Sequence, residues 1–356
     1  MTMRLPKTMT AVLLTGLGGL DRLVVSELSV PEPGTGEVLV RVGACGLNNS
    51  DLWIREGAYG SESDPKAATG WRREAPRFPL IQGSDIAGHI VAVGKGVTDR
   101  RIGERVLVNP TLYAGADETP VGAGYIGSER PGGFAEYVAV PAKNAYGVQS
   151  LISDVELATF PVSYLTAEHM LNRARLAQGE TVLVTGASGG VGSALVQLAR
   201  VRGAAVVALT GRGKEEKVRR LGAQSVVTRD DGSLSAAVAE ALGGRLVDVV
   251  ADVVGGELFG ELLGALRPEG RLVTAGAIGG PLVTLDLRTV YLKHLELVGA
   301  TLGAGDEFAA LLRHIEAGRL KPLVAATYPL EDLARAQADF AKKAHFGKIV
   351  ILPTGA

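Results

Sequence analysis

The stretch Thr181-Val182-Leu183-Val184-Thr185-Gly186-Ala187-Ser188-Gly189-Gly190-Val191-Gly192 decides the fold. Thr181 to Val184 read as a short buried strand, and SALVQLARVRG after the glycines reads as a helix ended by Gly203. The turn spells A-x-G-x-x-G from Ala187 to Gly192. Small residues there let the turn close, let the backbone approach a pyrophosphate and let the helix pack on the strand. The helix N-terminus adds unpaired N–H groups and the positive end of a dipole. A loop that only packs closely would use the same residues, but strand before and helix after favour dinucleotide binding. Ala187, Ser188, Gly189, Gly190, Val191 and Gly192 are therefore candidate cofactor contacts.

Downstream the alternation continues. AAVVALT (204–210), SVVT (225–228), VDVVADVV (247–254) and RLVTAGA (271–277) read as strands. EEKVRRLG (215–222), SLSAAVAEALGG (233–244) and ELFGELLGALRPEG (257–270) read as helices between them. Apolar strands separated by helices predict an α/β, doubly wound parallel sheet. Upstream the grammar differs. AVLL, LVV, EVLVRV, IAGHIVAVG, ERVLVN and FAEYVAV are strand-like runs separated by turn clusters, as in antiparallel sheet. Two long breaker-rich loops, 61–77 and 110–131, interrupt them. The change comes near Ser153, where Ser153 and Glu156 form a capping box. From about Gly303 the tail carries helices near Glu307–Ala317 and Ala334–Ala344 and a last strand, GKIVIL, which should pack back on the first domain. The expected division is 1–154, completed by 304–356, and 155–303.

Composition closes several classes. The 356 residues carry 37 Lys plus Arg against 38 Asp plus Glu, a net charge of −1, so no electrostatic footprint for nucleic acid or an anionic membrane exists. No apolar run approaches the ~18 residues of a membrane span. Arg4 and Lys7 precede an apolar run, but Gly16, Gly18 and Gly19 break it, so strand–turn–strand is a better reading than a signal peptide. A cytoplasmic protein is expected. Its single cysteine, Cys45, excludes an internal disulfide and a cysteine-rich zinc site, and is expected to be a buried, inert thiol.

The cofactor's identity is read at the end of the second strand of the α/β part. An NAD site usually has an acid there for the ribose 2′-hydroxyl. This chain has Thr210-Gly211-Arg212-Gly213-Lys214 and no acid before Glu215. A hydroxyl and two cations suit a 2′-phosphate, so Thr210, Arg212 and Lys214 predict NADPH. Alternatively, Arg212 and Lys214 only begin a solvated helix.

Taken together, PEPGTGEVLVRV, ACGLNNSD, the Gly83-Ser84-Asp85 stretch, VTGASGGVG and the terminal GKIVI resemble the medium-chain dehydrogenase/reductase superfamily over nearly the whole chain. The resemblance implies a GroES-like β-rich catalytic domain followed by a Rossmann domain, with the active site in the cleft between them. It also implies three catalytic zinc ligands in the zinc branch, but Asn48, Ser84 and the Val162 region stand at those places. None is a zinc ligand, and His89, His169, His294, His314 and His345 lack metal spacing, so a metal-free enzyme is expected. The zinc-free quinone oxidoreductase-like and enoyl reductase-like branch fits better. Its N-x-x-D-x-Y-x-R-x-G-x-Y pattern is met by Asn48, Asp51, Arg55, Gly57 and Tyr59, with Trp53 in place of the first tyrosine.

Without a Lewis acid, a conjugated carbonyl is the easier hydride acceptor, because its developing enolate oxygen needs only hydrogen-bond donors. Asn48 and Tyr59 are the candidate donors, against the alternatives of a turn-stabilising amide and a packed ring. Ser50 and Thr166 lie where relatives approach the nicotinamide, and a Ser there is also an ordinary helix cap. Asp51 joins the candidates, although organising the turn is its simpler role. Lys348 matches the place where relatives put a cation near the pyrophosphate. The expected reaction is hydride transfer from NADPH to a quinone or an α,β-unsaturated carbonyl, on a small-molecule substrate selected by the 61–77 loop. An enoyl-thioester reductase, an alcohol dehydrogenase-like enzyme and a non-catalytic NADPH-binding protein are the alternatives. Relatives usually pair through the edge strand, here Leu295–Leu302, so a homodimer is expected.

Overall fold

The computed structural model describes residues 5–58, 77–113, 118–229 and 232–353. Two compact units are present. The first comprises Met1–Val162, Ala304–Leu312 and Pro322–Ala356, and the second Ser163–Gly303 and Arg313–Lys321. Residues 155–162 thus join the first unit and 313–321 the second, on the other side of the sequence-based boundaries.

The first unit opens with β1 (Thr8–Leu14), β2 (Leu23–Ser29), β3 (Glu37–Gly46) and α1 (Asn49–Glu56). It continues through β4 (Leu80–Ile81), β5 (Asp85–Val93), β6 (Arg105–Val108), β7 (Thr111–Leu112) and β8 (Gly124–Tyr125). β9 (Tyr137–Pro141), β10 (Ala145–Gly147) and α2 (Asp154–Leu157) complete this run. The Ser153 capping box is present, but α2 is only four residues long, and a separate helix, α3 (Pro161–Arg173), follows. Pro161 suits a first helical position, where its missing N–H costs nothing.

The second unit is built from β11 (Thr181–Val184), α4 (Gly190–Val201), β12 (Ala205–Thr210), α5 (Glu215–Leu221), β13 (Ser225–Thr228) and α6 (Leu234–Ala241). β14 (Val247–Asp252), α7 (Phe259–Ala265), β15 (Leu266–Thr274), α8 (Leu287–Leu292) and β16 (Glu296–Gly299) follow. Their sheet order is β13-β12-β11-β14-β15-β16, all parallel. All four residues of β11 are buried, as expected of a central parallel strand covered on both faces. The helix expected over 257–270 stops at Ala265, and β15 already begins at Leu266. Pro268 explains the difference: it has no N–H for a helix and disfavours the α region for Arg267.

The tail adds α9 (Gly305–Glu316), β17 (Val324–Pro329), α10 (Leu333–Ala341) and β18 (Lys348–Leu352). β18 inserts into the first unit's main sheet, whose order is β10-β6-β5-β3-β18-β17 with β9 also on β3. Val350 and Ile351 pair with Gly46 and Cys45, so the end of the chain lies beside the start of α1. Val40, Val42, Ile86, Ile90, Phe134, Phe340 and Ile351 belong to the core beneath this sheet. The observed architecture is the GroES-like unit plus the Rossmann-type unit expected from the sequence.

Candidate functional site

In the second unit the strand order reverses between β11 and β14, and ligands of open α/β sheets bind beyond the strand ends at such a point. The loop after β11 is drawn in by Ala187 N donating to Leu209 O (3.1 Å) and Gly189 N to Gly186 O (2.9 Å). Gly186 adopts φ +56°, which favours glycine. A Cβ on Gly192 would collide with the Gly186 carbonyl and lie 2.8 Å from Ala187 Cα, so only glycine lets α4 start this close to the turn. Gly189 caps α4 and offers its first N–H groups no side-chain acceptor. Ser188, Gly190 and Val191 are half-buried and Gly189 is exposed. The loop is backed by Asp252, fully buried at the end of β14. It accepts from Thr185 Oγ1 (2.7 Å), Val254 N and Gly255 N (both 3.0 Å). Asp252 was not legible as a loop organiser; its position at a strand end was the available signal.

At the end of β12 the Thr210 hydroxyl is enclosed and has no hydrogen-bond partner. Arg212 is exposed and Lys214 half-buried. Burial pushes the Lys214 ammonium down, and Arg229 and Lys217 push it further the same way. Arg229, which sequence reading missed, follows β13, where Thr228 pairs with Thr210. Its guanidinium comes within 3.3 Å of where a Cβ on Gly211 would stand. The strand end thus collects cations. This cradle fits a dinucleotide: closed glycine turn, uncapped helix, and cations where a 2′-phosphate would add charge. Thr166, the remaining candidate of this unit, lies on α3 and is buried.

In the first unit, Asn48 precedes α1 and is buried (6% exposed). Its Oδ1 accepts from Lys348 Nζ (2.7 Å), and its Nδ2 donates to Asp85 Oδ2 (3.0 Å). Lys348 Nζ also pairs with Asp85 Oδ2 at 2.6 Å. The other carboxylate oxygen of Asp85 accepts from Val162 N at 2.7 Å. Lys348, expected near the pyrophosphate, thus has two buried partners within this unit. Asp51 caps the start of α1 by accepting from Asn48 N at 2.8 Å. Burial pushes the Asp51 carboxyl up to about 7, against hydrogen bonds from the Asn48 and Gly83 backbones that favour its charge. The Ser50 hydroxyl is enclosed and has no hydrogen-bond partner. Tyr59 and nearly all of the 61–77 loop lie outside the described residues. Burial also pushes the Cys45 thiol well up, which suits an inert side chain.

The family implies zinc in this unit, and the residues do not fit it. Asn48 is engaged by an ammonium, Ser84 Oγ donates to Ile126 O (2.7 Å), and Val162 carries no ligand atom. Among the described residues no group of three or more His, Cys, Asp or Glu could hold a metal.

Comparison with known proteins agrees with this architecture. The family described as alcohol dehydrogenase GroES-like domain matches residues 34–150, and the one described as zinc-binding dehydrogenase matches residues 190–317. The quinone oxidoreductase of Lama guanicoe is 30% identical over 356 residues, covering 97% of this chain and 98% of that protein. A provisionally named alcohol dehydrogenase from Sinorhizobium meliloti 1021 is 57% identical with a TM-score of 0.94, over 98% of this chain and 97% of that one. The 2-octenoyl-CoA carboxylase reductase CinF, solved with NADP and 2-octenoyl-CoA, is 27% identical with a TM-score of 0.85, over 98% and 88% of the two chains. With a GroES-like unit, a Rossmann-type unit and end-to-end similarity to these oxidoreductases, the chain belongs to the medium-chain dehydrogenase/reductase superfamily.

Proposed function

We propose that this protein is a zinc-independent, NADPH-dependent oxidoreductase that reduces a quinone or the activated double bond of an α,β-unsaturated carbonyl compound. The observation that carries the reading is Asn48: where the zinc branch has a thiolate ligand, this chain holds a buried amide fixed by Lys348 and Asp85. Such a group donates a hydrogen bond but does not ligate zinc. The similarity to quinone oxidoreductases supports the substrate class, and the cations Arg212, Lys214 and Arg229 support NADPH.

When bound, NADPH supplies the hydride. The Ala187–Gly192 loop would hold its pyrophosphate through backbone N–H groups other than those of Ala187 and Gly189, which the turn itself uses, and Arg212, Lys214 and Arg229 would hold the 2′-phosphate. A hydride so supplied to the β-carbon would send the π electrons of the double bond to the carbonyl oxygen. The second N–H of Asn48 Nδ2 donates to that oxygen, and the α-carbon then takes a proton from water or a hydroxyl. Asp51 keeps the Asn48 turn closed. The substrate is a small molecule, the protein is cytoplasmic, and two copies pair through β16. That edge strand carries the half-exposed Leu297, and α8 before it exposes Leu287, Tyr291 and Leu292.

A second reading, alcohol oxidation, is favoured by the similarity to the Sinorhizobium meliloti protein. Stopped-flow oxidation of NADPH by a panel of enones and quinones, beside an NADP⁺ assay with primary and secondary alcohols, separates the two. We expect turnover on the first panel and an Asn48→Ala loss of about 10²–10³-fold. Efficient metal-free alcohol oxidation would overturn the reaction class, and wild-type rates for Asn48→Ala would remove Asn48 as the donor.

A further inference from the structure

Among the described residues Lys348 is the only buried lysine, with 4% of its surface exposed. Its ammonium has two named acceptors, Asp85 Oδ2 at 2.6 Å and Asn48 Oδ1 at 2.7 Å. The third side of the triangle is Asn48 Nδ2 donating to the same Asp85 oxygen at 3.0 Å. These distances fix the amide's orientation by chemistry. An ammonium has only hydrogens to offer, so the amide edge facing it must be the oxygen. A carboxylate only accepts, so the edge facing Asp85 must be the NH₂. A flipped amide would set oxygen against oxygen and N–H against N–H. One Nδ2 hydrogen is spent on Asp85 and one remains.

The triangle also has an electronic effect. Donation from a cation to the amide oxygen draws density from the amide nitrogen, and linked hydrogen bonds strengthen one another in a low-dielectric interior. Asp85 cannot drift, because its other oxygen holds Val162 N at 2.7 Å near the start of α3. Lys348 itself is set by β18, which pairs with β3 at Gly46 and Cys45.

We infer that Lys348 is a positioning residue for the reaction: an internal cation that locks and polarises the Asn48 amide as donor to the substrate oxygen that gains charge. The inference rests on the proposed role of Asn48. It assigns to a lysine on the last strand the electrostatic part that a metal ion plays in the zinc branch. The competing role is purely structural, with Lys348 neutralising buried Asp85 and nothing more.

Removing the ammonium alone would strand a buried carboxylate and risk the fold. The test therefore uses the neutral pair Lys348→Met/Asp85→Asn together with Lys348→Arg, each checked for NADPH affinity by fluorescence titration. Two readouts are taken. One is kcat and KM for an enone such as 2-cyclohexen-1-one. The other is the side-chain NH₂ resonance of Asn48 in protein labelled with ¹⁵N-asparagine, assigned by its loss in Asn48→Ala.

We expect the double variant to bind NADPH as the wild type does, shift the Asn48 NH₂ resonance, and lose about 10–100-fold in kcat with KM within about threefold. Lys348→Arg should recover kcat to within about fivefold. An unmoved resonance, or a moved one with wild-type kcat, would overturn the inference. If Asn48→Ala keeps full activity, or no enone or quinone reacts, the functional proposal falls and carries this one with it. If Asn48→Ala is impaired and the double variant is not, only the role of Lys348 is wrong.

Discussion

Replacing Gly192 by alanine sets two effects of known sign against each other. Gly192 lies inside α4, where alanine is favoured over glycine by roughly 0.8–1.0 kcal/mol. Against that gain, the new Cβ would collide with the Gly186 carbonyl and approach Ala187 Cα to 2.8 Å. These are backbone atoms of the turn itself, so no side chain can rotate away. Overpacking of this kind costs about 1–3 kcal/mol, which outweighs the propensity gain. Gly260 in α7 is the internal control, because nothing lies within 4 Å of the place its Cβ would take. Gly260→Ala should therefore stabilise by up to about 1 kcal/mol. Urea melts should rank Gly260→Ala above wild type and Gly192→Ala below it. The displaced turn should weaken NADPH binding, followed by its fluorescence, more than tenfold, or about 1.4 kcal/mol. A Gly192→Ala protein as stable as Gly260→Ala, with wild-type NADPH affinity, would refute the close-approach reasoning.

Three further outcomes are expected. Arg212→Ala and Arg229→Ala should each reduce the preference for NADPH over NADH more than tenfold while leaving NADH affinity unchanged, since a charge-assisted bond is worth about 1.5–3 kcal/mol; unchanged cofactor ratios in both would refute the 2′-phosphate assignment. The folded Asp51 carboxyl is raised from 3.8 to about 7, so the folded protein keeps a proton that the unfolded chain releases. Its stabilising contribution is full below about pH 4 and is lost as pH rises through 7, by up to about 4 kcal/mol; the difference in urea stability between wild type and Asp51→Asn should follow that slope, and a pH-independent difference would refute it. Light scattering at micromolar concentration should give a dimer, and Tyr291→Lys with Leu297→Lys should give a monomer; a monomeric wild type would refute pairing through β16.

Much of the second unit was legible because its signals are local. The glycine turn, the apolar strands and the helices between them lie within a few residues of one another, and each is decided by its own periodicity. Where one local signal misleads, a neighbouring one corrects it: Pro268 ends the helix that Leu262 and Leu263 suggest. The polar centre of the first unit was only half legible. Asn48 and Asp51 stand in one short stretch, but Lys348 is 300 positions from its Asn48 partner. No periodicity links them; only the pairing of β18 with β3 does. Arg229 escaped for a similar reason, because its relevance depends on β13 lying beside β12 in the sheet.

The place of β18 has a consequence for how the chain is made. During synthesis β3, β5 and β9 emerge early, while β18, which covers the Cys45–Gly46 end of β3 beyond β9, follows β3 by some 300 residues. Until then Asp85 lacks its cation, and the first unit's sheet presents an open edge of the kind that recruits foreign strands. Ser163–Gly303 emerges in between and contains all six strands of its own sheet. The N-terminal unit therefore closes last, after the unit that follows it in sequence, reversing the usual order in which nascent domains fold. Its most distant contacts are made with β18, so synthesis of that strand, rather than emergence of the N-terminal half, sets when a competent polar centre can first exist.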